Sequence, residues 1–148
     1  MSIQWRWVLL GIMAVVGTTS AATITVGPGG GFDFETIQEA VKSASNFDDV
    51  LVAPGVYTET LNPLGKRLAI RSSDGPLSTI IDGESVRRGI LCTKGETQDT
   101  IIDGFSIQNG MPQWEPGGGG MYIHGASPQV LNCRFSSNMT GTNGYYYD

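Results

Sequence analysis

The five residues "TIIDG" occur twice, at 79–83 and at 100–104, 21 positions apart. A repeat of that length, built from a β-branched strand and a turn with no helical pattern between the copies, is the mark of a stacked array. Each strand of such an array lies on its equivalent at ~4.8 Å, and like residues form ladders. The interval therefore predicts Ile80 stacked on Ile101 and Ile81 on Ile102, with one of each pair directed into the core. A further copy follows when the frame slips: "FSIQN" from 105 aligns with "CRFSS" from 133, placing Phe105 over Cys133 and Ile107 over Phe135. The longer step is taken up by the loop Gly110–Gly120, "GMPQWEPGGGG", since arrays accept insertions at a fixed corner.

The rest of the chain fits this pattern. "TITV" is a short strand, and "DVLVAPG", "VYTETL", "RLAIRSSDG", "GILCTKG", "GMYIHG" and "QVLNCRFSSN" are β-rich pieces closed by Gly, Asn, Asp or Pro. Glycine numbers 21 of 148, well above the usual ~7%, which favours many tight turns over long helices. One helix is expected, in "DFETIQEAVKSA". There Phe34, Ile37, Ala40, Val41 and Ala44 draw a single stripe, Asp33, Phe34 and Thr36 supply the N-cap region, and Glu35 sits in the first turn.

Residues 1–22 read as a secretory signal peptide: Arg6, then the apolar run "VLLGIMAVV", then small residues with cleavage at Ala21 or Ala22. The run is too short to span a bilayer, so no stable membrane span is expected after cleavage, and the localisation is extracellular or cell envelope. A net charge of -5 argues against nucleic acid as a partner. The oxidising compartment permits a disulfide between Cys92 and Cys133, although they lie in different strand segments. Without a CxxC or His/Cys cluster there is no zinc signal. "NMT" at 138–140 is an N-glycosylation acceptor.

Three stretches, "GGGFDFETIQEAVKSASNFDDVLVAPGVYTETL", "LAIRSSDGPLSTIIDG" and "GGGGMYIHGASPQVLNCRFSSN", resemble the opening of right-handed parallel β-helix proteins of the pectate-lyase-like superfamily. The resemblance covers nearly all of residues 23–138. It implies an all-β fold, a right-handed parallel β-helix (solenoid) with a short amino-terminal capping α-helix and about four coils across residues 23–148. No closing element is recognisable after "CRFSSN", so the expectation is a β-helix truncated at its carboxyl end.

The resemblance is specific for fold and weak for function. "GVYTE" at 55–59 resembles the Gly-x-Tyr-x-Glu stretch of pectin methylesterases, and "QDT" at 98–100 is similar to the segment carrying their acid/base Asp. The second catalytic Asp and the Arg-Pro-Trp segment of those enzymes have no counterpart, so Asp99 reads as a turn residue. In the predicted register Asp82 and Asp103 form a carboxylate ladder of the kind that holds calcium in pectate lyases. Each precedes Gly, however, which is first a turn signal, and calcium wants six to eight oxygens. No cofactor is expected, with calcium at this ladder as the alternative. His124 stands alone and reads as a surface residue, and Arg87–Arg88 as a solvated corner.

Candidate ligand-binding residues are Gln113, Trp114 and Glu115. An aromatic face flanked by polar groups and prolines suits the apolar face of a sugar ring. The functional expectation is a secreted β-helix, non-catalytic or catalytically incomplete, that binds a polysaccharide or cell-surface glycan. The alternatives are the amino-terminal part of a polysaccharide lyase or esterase, and an adhesin-like structural protein.

Overall fold

The computed structural model describes residues 20–112 and 117–140. The described chain is mostly β, with a single short helix and strands paired only in parallel. Eleven strands fall into three sheets. β1 (Thr23–Val26), β2 (Asp49–Val52), β4 (Ala69–Ser72), β7 (Ile101–Asp103) and β10 (Gln129–Leu131) lie side by side in that order. β3 (Gly55–Tyr57), β5 (Thr79–Asp82), β8 (Ser106–Gln108) and β11 (Arg134–Ser136) form the second sheet, and β6 (Ile90–Cys92) with β9 (Met121–Ile123) the third. Parallel neighbours need a crossover; the first, from β1 to β2, contains the one described helix, and each later crossover is occupied by strands of the other sheets.

This arrangement overturns the predicted register. The two "TIIDG" segments lie in different sheets: Ile81 pairs with Tyr57 and Ile107, whereas Ile102 pairs with Ile70 and Val130. What the copies share is local chemistry. Thr79 and Thr100 are fully buried, with their hydroxyls bonded to Ser72 Oγ (2.6 Å) and Lys66 O (2.8 Å). The second Ile of each copy, Ile81 or Ile102, is fully buried, as the predicted inward positions require. Each Asp then accepts an amide from an asparagine at the end of the next strand in its sheet, Asn109 for Asp82 and Asn132 for Asp103. Both asparagines have positive φ, 52° and 49°, a conformation that Asn tolerates better than most residues. A strand needing these four features can sit in either sheet.

The 28-residue alignment holds. Phe135 pairs with Ile107 and Arg134 with Ser106. Phe135 is nevertheless 48% exposed where Ile107 is fully buried; among the described residues β11 has a strand neighbour on one side only. Cys133 is half-buried against the core and Cys92 fully buried, and both are free thiols. The central ladder Val50, Ile70, Ile102 is completely buried, and each such side chain contributes about 1.5–3 kcal/mol relative to exposure.

Helix α1 (Ile37–Ser43) packs against β1 and β2 and buries Ile37, Ala40 and Val41. Thr36 alone is its N-cap, its Oγ1 accepting from Glu39 N–H (3.3 Å) and donating to Glu39 Oε2 (2.9 Å). Asp33 is not part of the cap: its carboxylate accepts from Thr25 N–H and Oγ1–H. Phe34 precedes the helix and bridges to Val26. Both helix ends are held by one following segment. Glu59 takes the N–H groups of Ile37 and Gln38, each at 2.8 Å, and Lys66 Nζ donates to the carbonyls of Val41, Lys42 and Ala44 at 2.8, 2.8 and 2.6 Å. An acid at the N-terminus and a cation at the C-terminus both oppose the helix dipole. No helix among the described residues is long and apolar enough to cross a membrane.

Candidate functional site

The loop that carries the sequence candidates leaves β8 and returns to β9 through a backbone pinch. A Cβ on Gly110 would stand 2.2 Å from Gly119 O, and one on Gly119 2.0 Å from Met139 O, so neither position has room for a side chain. The pinch is fastened by Asn138, whose Oδ1 accepts Gly110 N–H (2.8 Å) while its Nδ2 donates to Ile107 O (2.9 Å). The amide of the potential glycosylation site is thus engaged in holding the loop base. Gly89 N–H and Ile90 N–H bind Gly119 O and Gly120 O on the β9 side, each at 2.9 Å. The "GGGG" run is explained by this crowding and by Gly117, whose φ is 103° and whose absent Cβ would lie 2.7 Å from the Tyr122 ring.

Gln113, Trp114 and Glu115 themselves lie outside the described residues. The loop base stands beside a row that sequence reasoning missed. Arg88, 6% exposed, donates from Nη1 to Gly118 O (2.8 Å) and places its guanidinium 4.6 Å from the Tyr122 ring centre. The Tyr122 ring is nearly parallel to the exposed His124 imidazole, 6.4 Å between centres and 6° between planes. The solvated corner expected at Arg87–Arg88 is therefore half right. Arg87 is at the surface, bonded to Glu84 and to Thr58 O (2.7 Å), but Arg88 is buried, because an aromatic ring and a carbonyl replace its water. The available signal was the spacing of Tyr122 and His124, two apart at the end of β9, where extended backbone sets alternate residues on one face.

The acidic candidates are separated. Asp82 and Asp103 occupy different sheets, so the predicted carboxylate ladder does not form. Asp82 accepts from Gln108 Nε2 (2.8 Å), Asn109 Nδ2 (3.1 Å) and Glu84 N–H (2.8 Å). Burial pushes its pKa up, but these donors, with Arg87 nearby, hold it below the ordinary value. Asp99 is exposed and pairs with Arg67 at 3.7 Å. The "GVYTE" stretch is accounted for by packing: Tyr57 is buried with its hydroxyl on Ala53 O (2.8 Å), and Glu59 caps α1. Burial raises the Glu59 pKa, opposed by the two helix N–H groups.

No protein-family model, curated protein or solved structure matches the chain. The arrangement offers a glycine-pinched loop beside a cation–aromatic–imidazole row, and acids already committed to backbone, amide or arginine partners.

Proposed function

We propose that this protein is a secreted right-handed parallel β-helix of the pectate-lyase-like type that binds carbohydrate through the face bearing loop 110–120. The β-helix reading is supported by the order in which the chain visits its sheets. It runs through the first, second and third in turn and returns to the first, with steps such as Asp49 to Ala69 and Ile101 to Gln129 between parallel neighbours. Right-handedness follows from the general preference of parallel crossovers.

The single observation that carries the binding reading is the row Arg88–Tyr122–His124 beside the fixed base of the loop that contains Trp114. Aromatic faces bind the C–H faces of sugar rings, the exposed His124 imidazole supplies hydrogen bonds to hydroxyl or uronate groups, and the buried Arg88 guanidinium holds the Tyr122 ring in place. A polysaccharide or cell-surface glycan is the ligand class. The alternative of a polysaccharide-active enzyme has less support, since Glu59 and Asp99, which carry the esterase resemblance, are held by α1 and Arg67.

The test is a glycan array with the secreted protein and its Trp114→Ala and His124→Ala variants, run beside a degradation assay on uronate polymers with and without calcium. Binding without turnover, weakened about tenfold or more by Trp114→Ala at unchanged stability, is the expected result. Turnover would replace this reading with the enzymatic one, and absence of binding to any glycan would refute it.

A further inference from the structure

The sequence leaves two cleavage points for the leader, and the fold distinguishes them. Among the described residues, Ala22 is the first bonded to the segment that opens β2: its N–H donates to the Asp48 side chain at Oδ1 (2.9 Å), and its carbonyl accepts Asp49 N–H at 2.8 Å. Asp48 is 8% exposed, and its other oxygen accepts Ser45 N–H at 2.8 Å. Among the described residues, Ala21 has only a local hydrogen bond, Ser20 Oγ to its carbonyl at 3.5 Å. Ser20, Ala21 and Ala22 lie along a shallow depression whose other wall is Ser45–Asp48.

We infer that the protein is processed at the Ala21–Ala22 bond and that Asp48 is a built receptor for the new amino terminus. This rests on the secretory reading. Hydrolysis by a signal peptidase adds the hydroxyl of water to the Ala21 carbonyl and its hydrogen to the Ala22 nitrogen, which is an ammonium at neutral pH. Cleavage acts on the extended segment before folding, and the fold then sets the ammonium where the amide N–H now meets Asp48. A hydrogen bond with one charged partner becomes an ion pair with two. Cleavage one residue later would delete the Ala22 nitrogen and carbonyl together, and leave Asp48 Oδ1 without the donor that occupies it.

The pair carries a pH signature of known sign. A carboxylate partner raises the amine above its ordinary ~7.7–8.0. Its stabilisation is therefore complete below that range and is lost as pH climbs through the raised value. The other charges around this corner are Lys66, which favours the ionised Asp48, and the Arg71–Asp49 and Arg67–Asp99 pairs. None of these removes the distinction, because the Asp48→Asn variant keeps them all.

The experiment is expression of the full chain in a secreting host, then intact mass, amino-terminal sequencing and urea unfolding of the product from pH 7 to 10. The expected product begins at Ala22. Its unfolding constant rises about tenfold over that range, the size of a lost charged hydrogen bond, and this rise is absent in Asp48→Asn. A secreted product beginning at Thr23 would overturn the inference and leave secretion standing, as would an Ala22 product whose alkaline loss is the same in Asp48→Asn. A cell-retained product still beginning at Met1 would overturn the secretory reading and the inference with it.

Discussion

Replacing Lys66 by Met tests whether α1 is fastened from outside or held by its apolar face. The Met side chain keeps most of the apolar stem and removes the ammonium. Three hydrogen bonds are lost, to Val41 O, Lys42 O and Ala44 O. Water can take over the exposed Lys42 carbonyl, so its loss counts for little. The Val41 and Ala44 carbonyls are part-buried. At about 1.5 kcal/mol each, the lower end for a bond to a charged group, they sum to about 3 kcal/mol. For a domain of this size that lowers Tm by about 10 °C. Lys42→Met is the control, an exposed cation in the last turn of the same helix, expected to cost under about 0.5 kcal/mol. Urea unfolding gives the energies, and hydrogen exchange shows whether the α1 amides open before the sheets. If Lys66→Met falls within about 0.5 kcal/mol of the Lys42 control and the α1 amides exchange no faster, the clamp contributes nothing and packing alone holds the helix.

Three further outcomes are expected. In a double-mutant cycle, Ile81→Ala and Ile107→Ala each cost about 2–5 kcal/mol with a coupling above about 0.5 kcal/mol, since both are fully buried ladder neighbours; additive losses would refute the register. Gly83→Ala destabilises strongly because a Cβ there would lie 2.5 Å from Arg87 O and 2.6 Å from Gly110 Cα, while Gly75→Ala, open around its Cβ at φ 80°, meets only backbone strain and loses about 1–2 kcal/mol by thermal unfolding; equal losses would contradict the close approach. Acid unfolding tracks Asp33 and Asp48, whose pKa values are lowered by N–H donors from Thr25 and from Ala22 and Ser45, so their stabilisation is full above 3.8 and lost as pH falls through the lowered values. Glu59, raised by burial, works in the opposite direction, and Asp33→Asn should flatten the acid limb of a stability profile where Glu59→Gln does not.

The cysteines show how far a linear reading goes. Their separation into different strand segments was legible, and both are free. Burial pushes the Cys92 thiol up to about 12, so it should resist alkylation in the folded protein at pH 8 and react once urea unfolds it. The strand pieces and the helix were legible for the same reason: β-branched runs bounded by turn residues, and a single apolar stripe, are properties of consecutive residues. So was the inward direction of one Ile in each "TIIDG" copy, Ile81 and Ile102, because alternation fixes a face without fixing a neighbour. Arg88 was not legible, since its burial depends on Tyr122, 34 positions later, arriving above its guanidinium.

The sequence by itself determined local conformation: where strands begin, which residue of each faces inward, and where glycine or asparagine must turn the backbone. The 28-residue step did place Phe135 beside Ile107, but the sequence could not determine the neighbours of the two "TIIDG" segments, which carry identical local instructions and end in different sheets. Pairing was decided by the lengths of the connections and by distant partners, Tyr57 and Ile107 for one copy and Ile70 and Val130 for the other. Hydrogen bonds of a parallel sheet are made between residues far apart in the chain. Only the folded whole brings those partners together, and with them the pinched loop and the acceptor waiting for Ala22.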